Sequence, residues 1–278
     1  MKKFLSILLV SVLLIGCSED RILVDQLNNK GTTGSPLMYS NKGLFNGIAF
    51  DVYNDILLSE SHYKEGKLDG LSKTWHENGQ LNSEQNYKNG EEDGLSKGWY
   101  DYGQLEYEEN FKNGEEDGLS KRWHSNGELE SETNYKDGEK DGLSKGWYYE
   151  YGQLEYEQNY KEGKLDGLSK SWNELEQLEF ERSYKNGEKD GLSKEWYENG
   201  QLKSELNYKD GKLNGLIKGW MMGEKNSYLI LEQNYKNGEE DGLSKIWYEN
   251  GQLQYEQNFK DGEKDGLRKE WYENGQLK

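Results

Sequence analysis

The sequence repeats itself, and the period decides what it can fold into. Asp-Gly-Leu places its glycine at Gly70, Gly94, Gly118, Gly142, Gly167, Gly191, Gly242 and Gly266, and Asn214-Gly215-Leu216 is a ninth copy. Six of the eight steps between these glycines are 24 residues, one is 25 and one is 27. Asn46-Gly47-Ile48 is a degenerate tenth copy. Five residues after each clear glycine stands a tryptophan: Trp75, Trp99, Trp123, Trp147, Trp172, Trp196, Trp220, Trp247 and Trp271, which are all the tryptophans of the chain. A fixed period of this length means one supersecondary unit per repeat, stacked on its neighbours to bury what a single unit cannot.

The unit from Gly191 to Gly211 shows what is repeated. Leu192, Lys194 and Trp196 alternate with Ser193, Glu195 and Tyr197; Leu202, Ser204, Leu206 and Tyr208 alternate with Lys203, Glu205, Asn207 and Lys209. A period of two means strands with one apolar and one polar face. Asn199-Gly200 and Asp210-Gly211 separate them, pairs that readily place two residues at positive φ in a tight hairpin turn. Recurrent glycine and the lack of a 3.6-residue period exclude helices. One hairpin is marginal in water, so hairpins must pair side by side. The fold expected is all-β: an elongated, single-layer antiparallel sheet of tandem hairpins. Each unit would add one Trp, one Tyr or Phe and two Leu to a shared apolar stripe.

Composition alone leans towards disorder, with 32% hydrophobic and 32% charged residues and a mean hydropathy of -1.16. Against that stand 9 Trp and 21 Tyr, and 34 Gly with 1 Pro, which suit many turns and a thin aromatic core. The net charge of -18 opposes phosphate and leaves nucleic acid out as a partner.

The N-terminus has its own logic. Met1-Lys2-Lys3 is a basic start, and Phe4 to Ile15 is apolar but for Ser6 and Ser11. The run is too short to span a bilayer and reads as a secretory signal. It ends in Leu14-Ile15-Gly16-Cys17, which resembles a bacterial lipobox, so Cys17 is expected to carry lipid and become the new N-terminus. As the lone cysteine it leaves no intramolecular disulfide. Ser18 rather than Asp after it points, by that resemblance, to the outer membrane. The expected division is 1–16 signal peptide, 17–38 lipidated cysteine and flexible tether, and 39–278 repeat array. The array holds about ten units, the first degenerate and the last truncated.

Trp196 to Leu202 with Glu205 and Tyr208 to Gly211, and again Trp247 to Leu253 with Glu256 and Phe259 to Gly266, resemble the variant MORN repeats of bacteria over roughly residues 39 to 278. The resemblance implies an elongated, twisted antiparallel sheet. Many bacterial proteins with such repeats are antitoxin components, which implies binding and neutralising a toxin; the secretory signal restricts that role here to immunity against an exported one. Three units depart from the pattern: Glu176 replaces a turn glycine, Tyr148-Tyr149 adds a residue, and Met221 to Leu231 holds a three-residue insertion. Bulges or loops are expected there.

No residue pattern points to catalysis. His62, His76 and His124 lie in different units, and the last two stand where Tyr follows Trp elsewhere, so they read as duplication rather than metal ligation. The serines of Gly-Leu-Ser-Lys alternate to the polar side with no base beside them. Acidic turns such as Asn89 to Gly94 match no calcium-loop spacing. The residue two after the return-strand Leu alternates small and large at first: Ser83, Tyr107, Ser131, Tyr156, then Phe180, Ser204, Leu231, Tyr255. Packing between hairpins is the first explanation; an aromatic ladder for a ligand is the second. The expectation is therefore a protein without enzymatic activity, cofactor or metal, meeting the membrane through its lipid alone. It would bind a protein, or a glycan, along the nine tryptophans with Tyr107, Tyr156 and Tyr255. An open C-terminal edge would permit edge-to-edge pairing between copies.

Overall fold

The computed structural model describes residues 19–30, 36–150, 152–224 and 226–278. The signal segment and Cys17 lie outside them. From Gly47–Tyr53 to Glu263–Glu270 the chain runs as an antiparallel meander within a 22-stranded sheet, each strand pairing with the next in sequence. Each unit has an outgoing strand, such as Glu188–Trp196, and a return strand, such as Leu202–Lys209. The all-β hairpin array read from the repeat is the fold observed.

The two turns of a unit differ. Asp210 (φ 47°) and Gly211 (φ 75°) form a two-residue turn with both φ positive, as expected. At the other end Tyr197 N–H donates to Gln201 O (2.8 Å) and Gly200 N–H to Tyr197 O (2.8 Å). That is a three-residue loop in which only Gly200 (φ 79°) is left-handed.

Each outgoing strand bulges at Asp-Gly-Leu, and that explains the motif. Gly142 sits at φ 106°, and a Cβ there would come within 3.3 Å of Asn134 Cβ. Asn134 Nδ2 donates to Leu143 O at 2.9 Å, closing the bulge; Asn86, Asn110, Asn159, Asn207 and Asn234 do the same in their units. The aspartate reaches onward: Asp69 Oδ2 accepts from Asn89 N–H (3.2 Å) and Asp166 Oδ2 from Asn186 N–H (3.1 Å), the first turn residues of the next hairpins. Where this bond forms, as also at Asp93, Asp141 and Asp190, the Asp-Gly-Leu belongs physically to two hairpins.

A second bulge divides the expected stripe. Trp196 pairs with Leu202 and Glu195 with Ser204, so Lys203 is the extra residue. Directly opposed residues share a face, so Trp196, Leu202, Lys194, Glu205, Leu192 and Asn207 lie on one face. Ser193, Leu206, Glu195, Ser204 and Tyr208 lie on the other. The serine expected on the polar side is buried in six units: Ser96, Ser120, Ser144, Ser169, Ser193 and Ser244, Ser144 fully. Thr133 and Ser144 hydroxyls bond each other at 2.8 Å. A small residue fits under the flanking rings, and its hydroxyl is satisfied there, so polarity misjudged its side.

On the tryptophan face runs a row of alternating charge. Register carries it unbroken from Glu60 through Lys73, Glu84, Lys97, Glu108, Lys121, Glu132, Lys145, Glu157, Lys170, Glu181, Lys194, Glu205, Lys218, Glu232, Lys245 and Glu256 to Lys269. Lys145 Nζ is 3.1 Å from Glu157 and Lys170 Nζ 3.2 Å from Glu181. Glu157→Lys sets three cations side by side. Because about a third of these side chains remains in water, the expected loss is about 1–2 kcal/mol at low salt. Chemical denaturation in urea checks it, and 1 M salt should recover most of the loss.

The N-terminal segment corrects the tether. Arg21–Leu23 pairs in parallel with Gly47–Tyr53, Arg21 opposite Ile48 and Leu23 opposite Phe50. Asp20 O accepts from Ile48 N–H (2.9 Å). Asn28–Asn29, Met38–Ser40 and Gly43–Leu44 form a small second sheet that closes on the turn at Gly66. Phe45, Ile48 and Ala49 are buried beneath this cap. Its apolar residues have no repeat to announce them, so periodicity missed it.

The irregular units behave differently from one another. Tyr148 to Gln153 is one residue longer than its counterparts, and the insertion extends one hairpin to Met221 and Tyr228 before a loop, both as expected. Glu176 makes no extra loop. It keeps the ordinary turn, its N–H donating to Asn173 O (2.9 Å), at φ 60°. Glu176→Gly should relieve that strain and stabilise by up to about 1 kcal/mol, read as a rise in urea midpoint.

Candidate interaction surface

The two long edges of the sheet differ in chemistry because their turns differ. The two-residue turns bring lysines and acids together, as at Lys88 to Asp93. Along this edge Glu92 and Glu116 have carboxyl pKa values raised, first by burial, with Glu109 adding repulsion to both. Glu109 itself is buried and paired with Arg122. The edge of three-residue loops is aromatic. Tyr102 (53% exposed), Tyr149 (51%), Leu175 (75%), Met222 and Tyr272 all project from it.

Part of that edge is rigidly built. Tyr100 and Tyr102 stack with centroids 5.4 Å apart, nearly parallel at 3°. Tyr102 OH donates to Ser125 O (2.8 Å), and Ser125 Oγ bonds Tyr149 OH (3.1 Å). Tyr149 meets the His124 ring edge-on at 5.0 Å. Three successive loops are thus joined through aromatic side chains into one ridge. Along the same edge, Tyr100, Tyr148, Tyr197 and Tyr248 hydroxyls each donate to the next unit's Trp carbonyl at 2.8–2.9 Å. His76 and His124 contact the corresponding carbonyls at 2.8 and 3.2 Å, so the histidines do the work of the tyrosines they replace. Among the described residues no cluster of three or more His, Cys, Asp or Glu is placed to hold a metal.

The residues expected to form one binding stripe do not. Trp75, Trp99, Trp123, Trp147, Trp172, Trp196, Trp220, Trp247 and Trp271 are all half-buried on one face, alternating with leucines. Tyr107, Tyr156 and Tyr255 lie on the opposite face because of the bulge before them. The Tyr107 ring occupies the space a Cβ on Gly98 would need, and Tyr156 does the same over Gly146. Large-on-small packing between strands thus accounts for the alternation at Tyr107 and Tyr156. Tyr255 borders a cleft of about 440 Å³ with Leu231, Ile246, Phe259 and Arg268, whose guanidinium lies 5.0 Å from its ring centroid. Sequence reasoning missed the loop ridge. Its signal was there: Tyr102 and Leu175 stand where Asn78, Asn199 and Asn250 stand in regular units.

Six segments match the family described as MORN repeat variant: residues 68–89, 92–113, 116–137, 189–210, 240–261 and 264–278. No curated protein matches the chain. A solved structure titled "Crystal Structure of TcdB2-TccC3" aligns at 11% identity and a TM-score of 0.15, over 88% of this chain and 17% of that one. The chain spans less than a fifth of that protein, and the likeness carries no argument. Among the described residues no helix is long and apolar enough to cross a membrane.

Proposed function

We propose that the chain is a non-enzymatic, envelope-anchored scaffold that binds a protein partner along its loop edge. The observation that carries this reading is the ridge of Tyr100, Tyr102, His124, Ser125 and Tyr149. Large aromatic rings held in place beforehand, with about half their surface in water as at Tyr102 and Tyr149, are what protein interfaces use as anchors. The tryptophans are half-buried along the sheet, which favours the more exposed ridge over the face as the contact. The signal segment and lipobox support the anchor, through lipid at Cys17 and at the outer membrane. Neutralising an exported toxin falls within the same reading, since capture along this edge needs no catalytic group.

Photo-crosslinking in cells tests the surface. A crosslinker at Tyr102 or Tyr149 should capture one partner that a crosslinker at Asn89 or Asn113, on the opposite edge, does not. Against that partner, the double substitution Tyr102→Ala, Tyr149→Ala should weaken binding by about 2 kcal/mol or more, roughly thirtyfold. Both rings are half in water, so strand content should not change. Equal capture from both edges, or unaltered affinity, would refute the assignment.

A further inference from the structure

The cap places the base of the array where a lipid anchor would hold it. Asp20 is fixed to the first array strand through its carbonyl bond to Ile48 N–H, and its carboxylate pairs with Lys42 at 3.2 Å. Three peptide steps separate Cys17 from Asp20, a reach of about 10 Å. Acyl chains at Cys17 would therefore leave no stalk between the bilayer and the folded sheet.

The same end carries an unpartnered apolar corner. Val24 (41% exposed), Val52 (42%) and Tyr53 (62%) are all open to solvent. They lie along one edge: Leu23 is opposite Phe50, the turn Val24–Gln26 continues alongside the rest of that strand, and Val52 and Tyr53 at its end project to its two faces. The cations of this end are already engaged. Arg21 pairs with Glu60, Lys42 with Asp20, and Lys30 lies 4.6 Å over the Tyr39 ring. Contact with a surface here would be apolar rather than electrostatic, and a tyrosine beside valines suits the level of lipid headgroups.

We infer that the array stands end-on, its N-terminal cap seated on the bilayer through Val24, Val52 and Tyr53, with later hairpins directed away from it. This rests on the lipid anchor at Cys17 and goes beyond it, because an anchored chain could equally sit on a stalk or lie flat. End-on seating puts the ridge at Tyr102 and Tyr149 several strand spacings from the surface, at about 4.8 Å each, where a protein can reach it.

The test uses the lipoprotein purified from membranes and reconstituted in vesicles. Acylation blocks Cys17, so a single new cysteine can be labelled with an environment-sensitive fluorophore, in turn at Tyr53→Cys, Tyr149→Cys and Tyr272→Cys, with circular dichroism to confirm the fold. Lipids spin-labelled in the headgroup should remove most of the emission at position 53 and almost none at 149 and 272, unchanged by high salt. Quenching at all three positions means the sheet lies flat; quenching at none means a stalk. Either result overturns the inference while leaving the anchor intact. An intact mass without acyl chains, and a free Cys17 thiol, removes the anchor reading and this inference with it.

Discussion

Gly142→Val is expected to cut the array in two. The glycine sits at φ 106°, a conformation that L residues rarely adopt and β-branched ones least of all. It also faces Asn134 at 3.3 Å from where the new Cβ would lie, and that asparagine closes the bulge by bonding Leu143 O. Backbone strain and overpacking each cost about 1–3 kcal/mol, so a loss of roughly 3 kcal/mol or more is expected. In a repeat array such a loss stays local: contacts run only between neighbours, so the hairpins on either side of Gly142 should open while distant ones hold. Hydrogen exchange reads this directly, as fast exchange confined to about residues 129–161. Gly200→Ala is the contrast. It has a similar left-handed φ of 79° but nothing within 4 Å, and should cost only about 1 kcal/mol. Equal losses at the two positions would show that backbone conformation alone, and not the closed bulge, sets the need for glycine.

Raising the pH should unfold the array between about pH 10 and 12. Tyr87 is pushed up to about 12, first by burial and then by the neighbouring Glu92 carboxylate. Burial also raises Tyr63, Tyr107, Tyr135, Tyr160, Tyr208 and Tyr235 on the same face. A free tyrosine titrates near pH 10. The folded state therefore keeps these protons where the unfolded chain has lost them. Their contribution is fully present below pH 10 and falls away as pH rises through the folded values. Each proton of difference is worth about 1.4 kcal/mol per pH unit, trimmed here because water screens half-exposed rings. Several tyrosines acting together make the transition steep. Absorbance at 295 nm, which reports phenolate, should rise in step with loss of the strand signal in circular dichroism. Phenolate formation complete by pH 10.5 in an intact sheet would contradict the burial of this row.

The hairpin fold was legible because its signals are local and repeated. Asp210-Gly211 specifies a turn, and alternation from Leu202 onwards specifies strands, nine times over. The faces were less legible. One extra residue per unit, Lys203 in the unit from Gly191, swaps sides partway along a strand, and a period of two cannot register that. Polarity then misplaced Ser144, whose burial depends on a hydroxyl partner across the strand. The cap at Arg21–Leu23 was illegible because it occurs once and its partners Ile48 to Phe50 lie 27 residues away. The ridge at Tyr102 and Tyr149 fell between these cases. The substitutions were visible, but only the stacking of successive loops shows that they meet.

The alternating charge row has a consequence for how such a chain can change its length. Each unit contributes one lysine on its outgoing strand and one glutamate on its return strand, and in six units the Asp or Asn before the bulge glycine latches the hairpin that follows. Inserting or deleting a whole unit preserves alternation, strand direction and latch at the seam alike. A gain or loss of half a unit would set like charges together and reverse every later strand. Whole-unit recombination is therefore nearly invisible to the fold, while it moves the far end by two strand spacings, about 9.6 Å, each time. Within a lineage, reach can drift in those quanta without any core having to be redesigned.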